Sequence, residues 1–509
     1  MNIANWLYIQ GKKSPELPAI YHGTESLFTY RQFATMAYQY GQILRVQYHC
    51  AAGDRVVLYA SNRFEYLIAL YAIFWIGAVI VPVNYRLHPK ELEWVLEDTG
   101  SKLILSDNGN LSEQITIADN ITELSLAQLE SICLNSTQAD FTMPYTRRMN
   151  DLAWLFYTSG TTGRPKGVML SHENLIAMSL CVETDVLHLS HEDCMYYVAP
   201  LSHGAGLYNF IAVRKGVKHI LPKSKSFSAS DLFKLAPQLK NICFFAAPTM
   251  LKRLTEVAKK EAYHGEGLKT IICGGAPLYA VDFFEAEQQL GPVISQIYGQ
   301  GETPMTITAL STTDLLNLDK ENKETIISTV GTPHSCVEVA IVDESMQPLA
   351  NGTPGEIVVR GTTVMKGYWN NPKATAETII DGWLKTGDIG FLNDSGYLTL
   401  TDRSKDVIIS GGINIYPREV EEVLLKHEDV SEVSVLGAQS QEWGEIVTAH
   451  VVLKTKNSID EEDLKNWSKD FLASFKCPKK IYFHQKLPKN AYGKVVKAEL
   501  LLAIKENSN

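Results

Sequence analysis

Residues 157–168 read Tyr157-Thr158-Ser159-Gly160-Thr161-Thr162-Gly163-Arg164-Pro165-Lys166-Gly167-Val168, hydroxyl side chains interleaved with glycines and closed by a lysine. Glycine lets backbone come close to an anion and adopt dihedrals that other residues avoid. N–H and O–H groups of such a run can therefore converge on phosphate oxygens. Lys166 adds a mobile positive charge. The chemistry predicted is a grip on phosphate. A polar turn between two apolar segments, 154–157 and 168–170, is the plainer account of a short Gly/Thr stretch, but this run is long and ordered. It is not a Walker loop, because Gly-x-x-x-x-Gly-Lys-Ser/Thr is absent and the lysine follows a proline.

Further chemistry-bearing segments follow in order: Gly274-Gly275-Ala276-Pro277-Leu278, Tyr298-Gly299-Gln300-Gly301-Glu302-Thr303, Thr386-Gly387-Asp388, Asp402-Arg403-Ser404-Lys405-Asp406 and Pro488-Lys489-Asn490-Ala491-Tyr492-Gly493-Lys494-Val495. Together with the first run they resemble the ordered motifs of the acyl-adenylate-forming superfamily, in its acyl-CoA synthetase branch, from about residue 25 to the C-terminus.

The resemblance implies roles residue by residue. Thr158, Ser159, Gly160, Thr161, Thr162, Gly163 and Lys166 would bind the phosphates of ATP, with Thr158 and Glu302 as ligands of Mg²⁺. A carboxylate has a physical purpose there, since a hard cation with oxygen ligands lets a second anion approach a polyphosphate. Gly275, Ala276 and Pro277 would line the adenine with Tyr298. Asp388 would accept hydrogen bonds from the ribose hydroxyls, with Arg403 as its companion. In place of the family's Tyr-Gly-x-Thr-Glu, Gly301 stands where a threonine usually offers a hydroxyl to the α-phosphate, and Thr303 or Gln300 is the candidate substitute. Lys494 would touch the substrate carboxylate and the α-phosphate together. Lys405 would be the pivot of a rotating C-terminal lid, and Ser410, Gly411 and Gly412 would line the thiol tunnel. His203, Gly204, Phe245 and Gly274 would border the acyl pocket, with His203 near the reacting carboxylate.

A carboxylate is already anionic at neutral pH, so its attack on the α-phosphorus needs alignment and charge neutralisation but no general base. The implied function is an ATP-dependent acid–thiol ligase with coenzyme A as acceptor. Residues 199–210 contain no Asp or Glu for a substrate ammonium, which disfavours amino acids, and the apolar 244–248 favours a fatty or aromatic acid. About fifteen residues follow Lys494, too few for a fused carrier domain, so free coenzyme A is the simplest acceptor. A stand-alone ligase loading a separate carrier protein is the nearest rival. A nucleotide-binding or fatty-acid-uptake protein with vestigial adenylation is the alternative from another class.

The elements that must position these residues follow an α/β pattern. Apolar β-branched runs at 56–59, 103–105, 271–273 and 293–295 alternate with amphipathic stretches at 89–97 and 280–290. Strand-like residues with turn signals at Asn351-Gly352 and Pro354-Gly355 mark a smaller β subdomain at 339–359. The expected architecture is a large N-terminal domain, 1–402, of two α/β layered sheets plus that subdomain, a hinge at 403–406 and a smaller mobile α+β lid at 407–509. An apolar run at 66–83 reaches membrane-span length, but Gly77 and Pro82 interrupt it, and a helix at 64–76 followed by a buried strand fits better.

A chain of 509 residues, 45% hydrophobic, is long enough for two or more cores. Its formal charge of −10 argues against a nucleic-acid partner held by phosphate contacts. The N-terminus lacks a signal-peptide pattern. Eight cysteines are scattered without a C-x-x-C pair, so reduced cytoplasmic thiols are expected, with neither a zinc site nor a disulfide framework. No stable membrane insertion is expected, and the oligomeric state is left open, a homodimer included.

Overall fold

The computed structural model describes residues 1–111, 115, 120–128, 140–158, 165–224, 227–316, 318–403, 406–410, 413–440, 443–455, 458–490 and 495–506. Four sheets organise it. The first has six strands in the order Thr122–Ser125, Leu103–Ser106, Arg55–Ala60, Val79–Asn84, Leu152–Thr158, Lys166–Ser171. All pair in parallel except the last two, which form an antiparallel hairpin. The second has nine strands, with a parallel centre that includes Ile242–Ala246, Leu268–Cys273 and Ile294–Tyr298. Its edges are antiparallel, ending at Thr332–Pro333 on one side and Glu25–Thr29 on the other.

The largest core lies between these two sheets. The helices Phe64–Trp75 and Gly204–Lys215 fill it, buried without a break from Glu65 to Trp75 and from Gly204 to Val213. Helices apolar on every side belong between two layers, which is what became of the run at 66–83. Among the described residues no helix is long and apolar enough to cross a membrane. Glu65, inside this core, is ion-paired to Arg63. Strand Arg55–Ala60 shows how the layers share a sheet: Val56 and Leu58 face the central core, while Val57 faces an outer one covered by the helix Pro89–Thr99. That helix starts on a His88–Glu91 capping box with Pro89 in its first turn and stops at Gly100 in the left-handed region, φ 58°.

The third sheet is antiparallel and built from Val337–Val342, Gly355–Gly361, Trp383–Leu392, Ile379–Ile380 and Leu398–Arg403. The chain then enters a fourth sheet at Ile408–Ser410, where Val430–Ser440, Gly444–Leu453 and Lys480–His484 enclose a separate small core with the helix Pro417–Leu425. Ser404 and Lys405, between the two sheets, lie outside the described residues.

One expectation is corrected. Cys181 and Cys336 are joined as a disulfide across 155 residues of sequence. Cys50, Cys194, Cys243, Cys273 and Cys477 are free and buried. A pair so far apart in sequence is made by the meeting of a helix end and a loop, which cysteine spacing does not encode.

Candidate active site

The hairpin Leu152–Thr158/Lys166–Ser171 aligns Thr158 opposite Lys166 in register. Ser159, Gly160, Thr161, Thr162 and Gly163 lie outside the described residues. The hairpin is braced. Trp369 N–H donates to Gly167 O at 2.7 Å, and Met169 N–H donates to Gly367 O at 2.9 Å. Tyr157 Oη donates to Asp98 at 2.5 Å, and burial followed by that carboxylate raises the phenol's pKa, keeping it a donor. Lys166 Nζ lies 4.9 Å from the centre of the Tyr368 ring.

The segment 298–303 leaves the C-terminal end of a parallel strand and folds back at once. Ile307 N–H returns to Tyr298 O at 3.0 Å, and Met305 N–H to Gln300 O at 3.1 Å. A Cβ at Gly299 would sit 2.3 Å from Met305 C, so the turn requires glycine there. At one end of the turn, Tyr298 Oη (2.7 Å) and Gln300 Nε2 (2.6 Å) both donate to Asp388 Oδ2. At the other, Tyr368 Oη donates to Glu302 Oε1 at 2.8 Å. Burial, then Glu302, raises the Tyr368 pKa, so it stays protonated and holds the carboxylate. The Glu302 carboxylate is a hard oxygen donor of the kind that binds Mg²⁺.

Gly301 is explained by space. A Cβ there would meet Thr158 Cγ2 at 2.6 Å and the Phe156 ring at 3.0 Å. The glycine thus lets the hairpin's last threonine press against the turn. Thr303, the candidate substitute, is fully buried and its hydroxyl accepts the Gln300 N–H at 3.3 Å, so in this arrangement it closes the turn. Gln300, the other candidate, is engaged by Asp388 and by Thr386 O at 2.9 Å.

Asp388 is buried in the strand Trp383–Leu392, its N–H donating to Thr386 Oγ1, and in register it faces Arg403. Gly275 and Pro277 are exposed just beyond the strand Leu268–Cys273, at the C-terminal edge where open α/β sheets bind ligands. Ala276 between them is half-buried. Gly275 has φ 84°, and its Cβ would come 3.8 Å from Phe245. Gly274 is buried with no room for a side chain, since a Cβ would meet Ile297 at 2.7 Å. Phe245 stacks on Tyr208 of the helix Gly204–Lys215, centroids 6.0 Å apart. His203 precedes that helix, its ring 5.4 Å from Phe156, the residue beside Gly301. Gly204 lies against Met305 of the turn.

Thr158, Lys166, Tyr298, Glu302, Asp388, His203, Gly204, Gly274, Gly275 and Phe245 therefore meet around one turn. Nearer the C-terminus, Ser410 pairs with Ile413, and Gly411 and Gly412 lie outside the described residues. Ile409 and Ile413 of this hairpin are exposed, as is Trp443, which precedes the Gly444 that pairs with Ser410. Lys494 is also outside the described residues, and on either side of it Lys489 and Val495 form an antiparallel bridge. Its neighbours are paired, Lys489 with Glu432 at 2.6 Å and Lys497 with Asp406 at 3.2 Å. Sequence reasoning missed Tyr368, Phe156 and Tyr208. The aromatic pair Tyr368–Trp369, just before the Asn371 cap and Pro372, was the one local signal for the first.

A family model described as AMP-binding enzyme matches residues 7–369, and its AMP-binding enzyme C-terminal domain matches residues 419–494. The chain is 33% identical to feruloyl-CoA synthase of Amycolatopsis sp over 98% of each chain. It is also 33% identical to 2-succinylbenzoate--CoA ligase of Geobacillus kaustophilus over 97% of each. Among solved structures, o-succinylbenzoate CoA synthetase (MenE) from Bacillus subtilis is similar at a TM-score of 0.84 and 30% identity, covering 97% of this chain. It has been solved with the acyl-adenylate intermediate OSB-AMP, where 97% of its chain is covered, and with ATP and magnesium ion, where 99% is covered. The chain belongs to the AMP-binding enzyme family. Its activity is that of an acyl-CoA synthetase, an AMP-forming acid–thiol ligase.

Proposed function

We propose that this enzyme activates an aromatic carboxylic acid with ATP and Mg²⁺ and passes the acyl group to coenzyme A. The observation that carries the nucleotide half is the turn 298–303, which has Asp388 at one end and Glu302, beside Lys166 and Thr158, at the other. A nucleoside held at the first end directs its phosphates towards the second. Tyr298 and Gln300 orient the Asp388 carboxylate for the ribose hydroxyls, and the exposed turn 275–277 receives the adenine. Glu302, with the Thr158 hydroxyl, would hold Mg²⁺, which neutralises phosphate charge when bound. Tyr368 keeps the glutamate aimed.

For the acid, Phe245 stacked on Tyr208 beside Gly275 makes a flat apolar wall with no carboxylate in residues 199–210, which suits an aromatic ring and excludes an ammonium. Both curated relatives named above are ligases of acids whose names denote aromatic compounds, which supports the same class. Lys494 then balances charge between the incoming carboxylate and the α-phosphate. Rotation about 403–406 would bring Ser410, Gly411 and Gly412 to the acyl-adenylate, where small residues leave a path for a pantetheine arm.

The test is pyrophosphate release with Mg²⁺-ATP over benzoate, ferulate, 2-succinylbenzoate, hexanoate, palmitate and several amino acids, with and without coenzyme A. Release confined to aromatic acids, with acyl-CoA formed when coenzyme A is present, is expected. Preference for palmitate would overturn the substrate class. Adenylate that transfers to a pantetheinylated carrier protein and not to coenzyme A would overturn the acceptor.

A further inference from the structure

Away from the active site, four side chains with metal-ligating atoms converge where the helix His172–Asp185 ends against the loop leading into Val337–Val342. Cys181 and Asp185 are four residues apart, on one face of the helix. His334 and Cys336 come from the loop. Ligand atoms of Cys181, Asp185 and His334 lie within 4.8 Å of one another, and Cys336 is joined to Cys181. His334 Nδ1 shares a proton with Asp185 Oδ2 at 2.8 Å, and the Ser335 N–H, at 2.9 Å, and hydroxyl fix the same carboxylate. The His334 side chain is fully buried, and its Nε2 has no partner among the described residues.

A disulfide by itself needs neither a buried imidazole nor a carboxylate, being uncharged and a poor hydrogen-bonding group. Two sulphurs, an imidazole and a carboxylate are instead the donor set that holds zinc. The Cα atoms of Cys181 and Cys336 are 6.8 Å apart, at the outer limit for a disulfide. Two Zn–S bonds of about 2.3 Å each fit between such positions once the sulphurs part.

We infer that Cys181, Cys336, His334 and Asp185 form a structural zinc site in the reduced protein. The disulfide is its oxidised, metal-free counterpart. A dithiol or a phosphine supplies the two electrons that cleave the S–S bond, and two protons complete the thiols. Each thiol then gives up its proton as its sulphur binds Zn²⁺, and the metal replaces the proton shared by His334 and Asp185. The site clamps the third sheet, which carries Asp388, to the layered domain. His334 N–H donates to Ile307 O, and Ile307 N–H to Tyr298 O, so the clamp lies two hydrogen bonds from the nucleotide turn.

The test uses full-length protein reduced with a phosphine under anaerobic conditions, freed of metal by chelation and titrated with Co²⁺. Expected are a near-ultraviolet thiolate-to-cobalt charge-transfer band and visible bands of tetrahedral cobalt, saturating at one equivalent and lost on adding Zn²⁺. Zn²⁺ should also raise the melting temperature of the reduced protein. Cys336→Ser, at a half-buried position that tolerates the change, should halve the charge-transfer intensity. His334→Gln should weaken binding at least about tenfold. Two results overturn the site: no charge-transfer band in reduced wild type, or a spectrum unchanged in Cys336→Ser. Peptide mapping that finds Cys181 and Cys336 joined in protein alkylated during anaerobic lysis would also overturn it, leaving a plain disulfide cross-link.

Discussion

Gly301 and Thr158 occupy each other's space, and their exchange is measurable. Gly301→Thr, which restores the hydroxyl usual in the family, would drive a Cβ to 2.6 Å from Thr158 Cγ2 and should destabilise the protein by about 1–3 kcal/mol through overpacking. Thr158→Ser removes the clashing methyl and keeps the hydroxyl. The double variant should recover most of the lost stability, giving a coupling that denaturant titration reads directly. Simple additivity would show that the two residues do not compete for space. Lys494 belongs to the same scale. Lys494→Ala should slow adenylation by on the order of 10²- to 10³-fold, the usual cost of one transition-state donor. The variant should still convert supplied acyl-adenylate to acyl-CoA, and equal loss of both half-reactions would contradict its assignment. Tyr368→Phe removes the bond that aims Glu302, and it should raise the Mg²⁺ concentration needed for half-maximal rate more than it changes KM for the acid.

At the scale of elements, the short link between Leu398–Arg403 and Ile408–Ser410 joins two sheets that share no strand. Lys405→Pro fixes one backbone dihedral in that link. If lid rotation separates the two half-reactions, this variant should retain one and lose the other, as pyrophosphate exchange and thioester formation assayed separately would show. A parallel fall in both would argue against rotation at 403–406. The helix Gly204–Lys215 acts as an element in another way, because it carries His203 at its start and Tyr208 one turn along. Phe245→Ala should therefore raise KM for the aromatic acid with little change in KM for ATP.

For the whole molecule, acid sensitivity is built into the central core. Burial pulls His219 down to about 3, and the ring is hydrogen-bonded between Tyr30 at 3.2 Å and Tyr197 at 2.7 Å. Burial, then Arg147, pulls His172 to about 3 as well, and its Nδ1 accepts the Ile3 N–H. The unfolded chain takes up these protons near pH 6.5 and the folded one does not. Their stabilising contribution is thus complete above pH 6.5 and is lost as pH falls towards 3. Each costs about 1.4 kcal/mol per pH unit in that window. Denaturation midpoints should drop steadily below pH 6.5, and His219→Gln should flatten that slope.

Much of this enzyme was legible in the chain alone. An unbroken apolar run interrupted at Gly77 and Pro82, with β-branched residues after the glycine, led to a helix at 64–76 followed by a buried strand, and the structure has the helix Phe64–Trp75 and the strand Val79–Asn84. The resemblance of short motifs to a known family pointed to Thr158, Glu302, Asp388 and the glycines at 274–275, and the structure gathers these residues around the turn 298–303. Tertiary structure decided what depends on neighbours remote in sequence. Tyr368 reaches Glu302 over 66 residues, Phe245 finds Tyr208 across a sheet, and Gly301 is glycine because Thr158 fills the space where a Cβ would go. The Cys181–Cys336 pair and the histidine and aspartate around it were invisible for the same reason. Local sequence constrains backbone geometry and burial, but which side chains meet is settled by packing between elements.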